Sequence, residues 1–185
     1  MMLENAEIRA RVAPVTVEQN HRFPEFGGDG KRTELIRGIL IEKRSKSPLH
    51  SSIARRLFML LQGAIPPGFI LLREDPLTFK DSEPEPDLAI VRGEELDFAN
   101  SHPTTAELVI EIAISSVTLD REKAAIYAEA GVAEYWTVLP AERRVEVYRR
   151  PELGAYLEIS VAQGDVLLTT VSLPEVKVGL VDLFG

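Results

Sequence analysis

The chain has 185 residues, no cysteine, 45% hydrophobic and 27% charged residues, and a formal net charge of −8. This is the composition of an ordinary globular protein, and it excludes disulfide staples, thiolate metal sites and a basic coat for nucleic acid. No apolar run approaches the roughly 20 residues of a membrane span, and Met1-Met2-Leu3-Glu4-Asn5-Ala6-Glu7 lacks the basic-then-apolar order of a secretory signal, so a cytoplasmic, one-domain protein is expected.

Residues 1–32 are the least periodic part and end in the loop-forming Gly27-Gly28-Asp29-Gly30; they read as an N-terminal extension packed on or near a domain of residues 33–185. Glu34 to Glu42 reads as two short strands turning at Arg37-Gly38. A helix follows, capped by Ser47, with Pro48 in its first turn and Gly63 past its end; Leu49, Ile53, Leu57, Leu60 and Leu61 recur at helical spacing as its apolar face. Phe69–Leu72 and Pro76–Phe79 read as a strand pair, and Glu83-Pro84-Glu85-Pro86 as a stiff connector. Asp87–Val91 and Leu108–Ile112 are short apolar runs of the kind found in central strands. A second helix is expected from about Thr118 to Ala130, stopped by Gly131. Strands are then expected at Tyr135–Leu139, Arg143–Tyr148, Tyr156–Ile159 and Val166–Leu168, before an apolar close at Leu180–Phe184. Helices interleaved among strands predict an α/β domain with a mixed central sheet flanked by helices.

Two acids stand out. Asp87 opens one apolar strand, and Glu111 sits inside another. A bare carboxylate beside an apolar strand costs several kcal/mol unless it is paired or binds a cation. Neighbouring strands lie about 4.8 Å apart, so the two acids can share a divalent ion if their strands pair; alternatively, each accepts backbone hydrogen bonds or lies on an exposed edge. Asp120, Lys123 and Tyr127, spaced by three and four residues, share one face of the following helix. Lys123 can point back toward the acids, or form a solvated pair with Asp120. The three histidines, His21, His50 and His102, fit no zinc spacing, so a metal here would be a hard ion such as Mg²⁺. His50 lies in the first turn of its helix, where it can serve the site or bond locally. Lys43, Arg44, Lys46, Arg55 and Arg56 form a basic cluster that can meet phosphates or be merely solvated. Tyr135 and Trp136 read as core or interface.

Pro86-Asp87, Val109-Ile110-Glu111, Ser115-Ser116, Asp120-Arg121-Glu122-Lys123, Tyr127, Ala130-Gly131 and Glu134-Tyr135-Trp136, in this order, resemble the Uma-two family of "putative restriction endonucleases", within the PD-(D/E)xK nuclease superfamily. Glu34-Leu35-Ile36-Arg37-Gly38 and Ser47-Pro48-Leu49-His50 are also similar to the family pattern, and the resemblance spans about Thr33 to Phe184. It implies a restriction-endonuclease-like fold and Mg²⁺-dependent (Mn²⁺ as substitute) hydrolysis of phosphodiester bonds in nucleic acid, with DNA the expected substrate. It also implies metal ligation by Glu34, Asp87 and Glu111, catalysis by Asp87, Glu111 and Lys123, accessory roles for His50, Asp120 and Tyr127, and a homodimer. The chain departs from the superfamily at Ala113, two residues after Glu111, where the motif lysine belongs; Lys123 would replace it. Leu139-Pro140 is a second departure, without functional weight. Ala113 also motivates a rival, a catalytically inactive binding or assembly protein on the same fold. A glycosidase with paired carboxylates is a further rival, disfavoured by the low aromatic content of 6%.

Overall fold

The computed structural model describes residues 11–22, 32–43, 45–114 and 117–185. Gly27-Gly28-Asp29-Gly30, Arg44 and Ser115-Ser116 lie outside the described residues. The chain divides into two compact units. The smaller takes the described residues up to Lys43 together with Phe79–Pro84, and the larger takes Ser45–Thr78 and Glu85–Gly185.

In the smaller unit, a short helix α1 (Val17–Asn20) is closed by a capping box, in which Thr16 and Gln19 each accept the other's backbone N–H. Strands β1 (Thr33–Ile36) and β2 (Ile39–Glu42) form the antiparallel hairpin expected from the sequence. Its two-residue turn puts both Arg37 (φ 52) and Gly38 (φ 73) in the left-handed region, the geometry that matches strand twist. Any side chain at Gly38 would also collide with Pro14, 2.3 Å from an added Cβ. Glu83 pairs with Leu35 through a β-bridge and accepts hydrogen bonds from Asn20 and His21, tying three segments of this unit together.

The larger unit is built on a six-stranded sheet. Its strands are β3 (Phe69–Leu72), β4 (Leu88–Arg92), β5 (Leu108–Ile112), β6 (Glu134–Leu139), β7 (Arg144–Glu152) and β8 (Ala155–Gln163), in that spatial order. All neighbours are antiparallel except β5 and β6. The parallel pair requires a crossover, supplied by helix α3 (Val117–Glu129), which ends before Gly131 at φ 71. The other helix, α2 (Pro48–Gln62), has Ser47 as its cap, accepting from the His50 amide at 3.2 Å.

The core joins α2 to one face of the sheet. Ile53, Ala54, Leu57 and Leu61 meet Leu88, Ile90, Leu108, Ile110, Ile112, Trp136, Val138, Val145 and Val147. Each such fully buried aliphatic side chain contributes roughly 1.5–3 kcal/mol. The C-terminal segment covers the same core with Leu168, Val178, Leu180 and Leu183. It carries a second hairpin, β9 (Leu167–Thr169) with β10 (Lys177–Gly179), and a last helix α4 (Leu180–Phe184).

Two expectations differ from the structure. Pro76–Phe79 is not a strand: β3 pairs with β4 instead. Pro76 has no N–H to give to a ladder, and the last two donors of the segment are spent on loops, Thr78 on the carbonyl of Pro103 and Phe79 on that of Ser82. Leu49 is 47% exposed, and the place it was expected to hold on the buried face of α2 is taken by His50. Tyr135 and Trp136 are fully buried, in agreement with a core reading.

Candidate active site

β5 is buried along its whole length, yet it alternates in chemistry. Ile110 and Ile112 enter the core beneath α2, so the intervening Glu111 takes the other face, where α3 lies. There the Lys123 ammonium and the Tyr127 hydroxyl both donate to Glu111 Oε1 at 2.9 Å. Glu111, Lys123 and Tyr127 are 5%, 4% and 0% exposed. The helical spacing that groups Lys123 with Tyr127 therefore acts on a buried face. Asp120 is buried too, and its backbone carbonyl accepts from Tyr135 Oη at 2.7 Å. A solvated Asp120–Lys123 pair is not what the structure contains.

All four tyrosines of the chain gather beside this face: Tyr127, Tyr135, Tyr148 and Tyr156 stack or tilt against one another with ring centroids 5.0–6.5 Å apart. Each hydroxyl donates to a fixed acceptor, namely Glu111, the carbonyl of Asp120, Glu146 and the carbonyl of Val132. Burial and the Glu146 carboxylate push Tyr148 up to about 12, so it remains a neutral donor. Arg121 clamps Glu146 from the same helix. This aromatic cluster with its satisfied hydroxyls fixes α3, and through it the position of Lys123.

Asp87 directly precedes β4. The β4–β5 register runs Leu88 to Ile110, Ala89 to Val109 and Ile90 to Leu108. Continued by one residue, it sets Asp87 opposite Glu111, and residues opposed in this way have Cβ atoms about 5 Å apart. Asp87 Oδ2 accepts the amide of Ile112 at 2.8 Å and His50 Nε2 at 3.0 Å. Oδ1 accepts the Lys46 ammonium at 2.9 Å, and the same ammonium lies 2.9 Å from Glu74 Oε1. The His50 ring must carry its proton on Nε2 to donate to a carboxylate; its Nδ1 is buried without a hydrogen-bond partner. Burial works to raise Asp87, but the hydrogen bond and charge of His50 and the charge of Lys46 outweigh it and hold the carboxyl at about 2. Burial likewise works to lower Lys46, and Asp87 and Glu74 raise it on balance.

By register Asp87 and Glu111 thus stand at one end of the β4–β5 pair, each with its own set of donors. Asp87 draws its helical donor from α2, and Glu111 draws its donors from α3. Glu34 lies on β1 of the smaller unit and is buried there. Ala113 is buried beyond the end of β5, with its amide on the carbonyl of Val138.

Sequence reasoning placed Lys46 in a basic cluster that meets phosphates or is merely solvated, whereas its ammonium bridges two acids; of the same cluster, Arg56 bonds the carbonyl of Leu183. Glu74 was missed altogether. Its only signal in the sequence is the run Arg73-Glu74-Asp75, which reads as surface.

The donor set fits a hard divalent ion. Asp87 and Glu111 offer carboxylate oxygens at adjacent strand ends, and a cation, the Lys46 ammonium, already stands on one of them. Among the described residues, no group of three or more His, Asp and Glu side chains forms a metal cage. Mg²⁺ does not need one, since it keeps several waters and takes one or two carboxylates plus substrate phosphate.

The family model described as "Putative restriction endonuclease", Uma2, matches residues 17–181. The chain belongs to this Uma2 family. Its fold is also that of a crystal structure from Anabaena variabilis ATCC 29413, described as a putative nuclease belonging to DUF820. That protein matches with a TM-score of 0.79 at 24% identity, over 92% of this chain and 98% of its own. No curated protein matches. No helix among the described residues is long and apolar enough to cross a membrane.

Proposed function

We propose that this Uma2 protein is a metal-dependent endonuclease that hydrolyses phosphodiester bonds of nucleic acid, with DNA as substrate and Mg²⁺ as the natural ion. The observation that carries this reading is the buried contact of Lys123 and Tyr127 with Glu111, beside an Asp87 carboxylate anchored on the amide of Ile112. The superfamily motif sets a lysine beside two acids at a strand end, and Lys123 on α3, bonded to Glu111, would take that role.

Asp87 and Glu111 would hold the ion. The chemistry supplied by bound Mg²⁺, or by Mn²⁺ in its place, is activation of the attacking water and neutralisation of charge at the scissile phosphate. Lys123 keeps a fixed positive charge beside Glu111 and orients the water or the phosphate oxygens. Tyr127 holds the shared Glu111 oxygen in place. His50 fixes the direction of the Asp87 carboxylate. Glu34, the third ligand implied by the family pattern, belongs to the smaller unit, and its contribution is open to Glu34→Gln. A cytoplasmic homodimer is part of the same reading, supported by the apolar Leu157, Ile159 and Val161 left exposed on β8.

The test is cleavage of plasmid and oligonucleotides with and without Mg²⁺. The wild-type chain is expected to cut only with the ion, and Asp87→Ala and Glu111→Ala to lose about 10³-fold, the equivalent of the several kcal/mol that such an ion supplies. Unchanged rates in both variants would refute the site. The buried Ala113 favours one second reading, a nuclease fold kept for binding or assembly; metal-independent binding of nucleic acid without cleavage would select it.

A further inference from the structure

We propose that Lys46 is a resident cation at the metal position: its ammonium occupies Asp87 Oδ1 in the metal-free protein and is displaced when a divalent ion binds. This rests on the reading of Asp87 as a metal ligand. The two oxygens of Asp87 are held in different ways. Oδ2 is fixed by a backbone amide and by His50, a residue of the buried face of α2. Oδ1 is held by the end of a long, flexible side chain that is 28% exposed. Lys46 precedes the Ser47 cap and so lies outside the helix, free of its hydrogen-bond ladder. Its second partner, Glu74, is 25% exposed and sits just past β3 with φ 58, in a loop. The ammonium can therefore leave Oδ1 without unpacking the core, while Glu74 stays tied through its amide to the carbonyl of Pro86.

An ammonium and a divalent ion drawn to the same carboxylate oxygen compete, because like charges a few ångströms apart in a partly desolvated site repel. Unlike Lys123, which is buried against Glu111, Lys46 is the mobile partner that yields, and the cost of moving it weakens the hold on the ion. Lys46 in this role prevents bare repulsion between Asp87 and Glu74 when no ion is present, and it makes the site selective for ions of higher charge.

The experiment is calorimetric titration of Mn²⁺ into the full chain, wild type against Lys46→Met, Lys46→Gln, Lys46→Arg and Asp87→Asn, each checked for folding by a thermal melt. Lys46→Met, or Lys46→Gln should the first not fold, is expected to bind Mn²⁺ about tenfold tighter. Lys46→Arg, which keeps the charge, is expected to stay near wild type, and Asp87→Asn to show no binding. Affinity unchanged or weaker in the neutral Lys46 variants, with binding still lost in Asp87→Asn, would overturn the role of Lys46 and leave the metal site standing. No binding in any chain would overturn both.

Discussion

Two glutamates on adjacent parallel strands are both buried and do different things. Glu134 opens β6, and Glu111 stands near the far end of β5. Glu134 Oε1 accepts from Trp136 Nε1 and from two nitrogens of Arg149, and Oε2 accepts the amide of Val171. Both of its oxygens are committed to tying β6, β7 and the C-terminal segment together. Glu111 instead meets a lysine and a tyrosine from one helix, at the strand end where Asp87 is anchored. A buried charge is therefore no site by itself; its neighbours decide what it does. Ligands of open sheets gather at the carboxyl ends of parallel strands, where Glu111 is and Glu134 is not.

This comparison can be broken most directly through activity. Glu111→Gln should lower Mg²⁺-dependent cleavage by about 10³-fold, while Glu134→Gln, in the folded fraction, should cut at the wild-type rate. Equal losses in both would remove the distinction.

Stability should sort them in the reverse sense. Glu134→Ala leaves Arg149 Nε, Trp136 Nε1 and the Val171 amide without their acceptor and should cost about 3–5 kcal/mol in a denaturant titration; a loss below about 1 kcal/mol would show that the clamp is not what holds these strands.

Acid sharpens the Asp87 side. Its carboxyl is held down at about 2, below its ordinary 3.8. Its stabilising contribution is thus complete above about pH 4 and is lost as pH falls through about 2, on the order of 2 kcal/mol in all. Melts of wild type and Asp87→Asn between pH 2 and 5 should converge toward the acid end; a constant gap across that range would contradict the assignment.

An effect of similar size is expected from Tyr127→Phe, which removes one hydrogen bond to a charged group and should cost about 1.5–3 kcal/mol in a denaturant titration, with cleavage reduced rather than abolished.

How much of this is legible from residues alone follows the range of the interactions. The α2 cap, the Arg37-Gly38 turn and the apolar central strands are local patterns, and the structure contains all three. The face that joins Lys123 to Tyr127 is legible as geometry, but its burial is not, because α3 carries charged residues on its packed side as well. His50 replaces an apolar residue at a buried helical position, a sign visible only once the helix is known to be buried there. The Glu134 clamp depends on partners 15 and 37 residues away, and no spacing rule relates a strand-opening glutamate to them. Lys46 looks like one more surface cation, since nothing local to it shows that Glu74 and Asp87 will flank it. Pro76–Phe79 reads as a strand because its residue types suit one, while the missing amide of Pro76 and the competing loop acceptors decide otherwise.

The central claim is that Asp87 and Glu111 share a divalent ion at the end of the β4–β5 pair. Anomalous diffraction from crystals soaked in Mn²⁺ tests it at the atoms concerned. The account predicts a peak within coordination distance of both carboxylates, with Lys46 moved off Oδ1; density that touches neither acid, or an undisturbed Lys46–Asp87 bridge at saturating Mn²⁺, would contradict it.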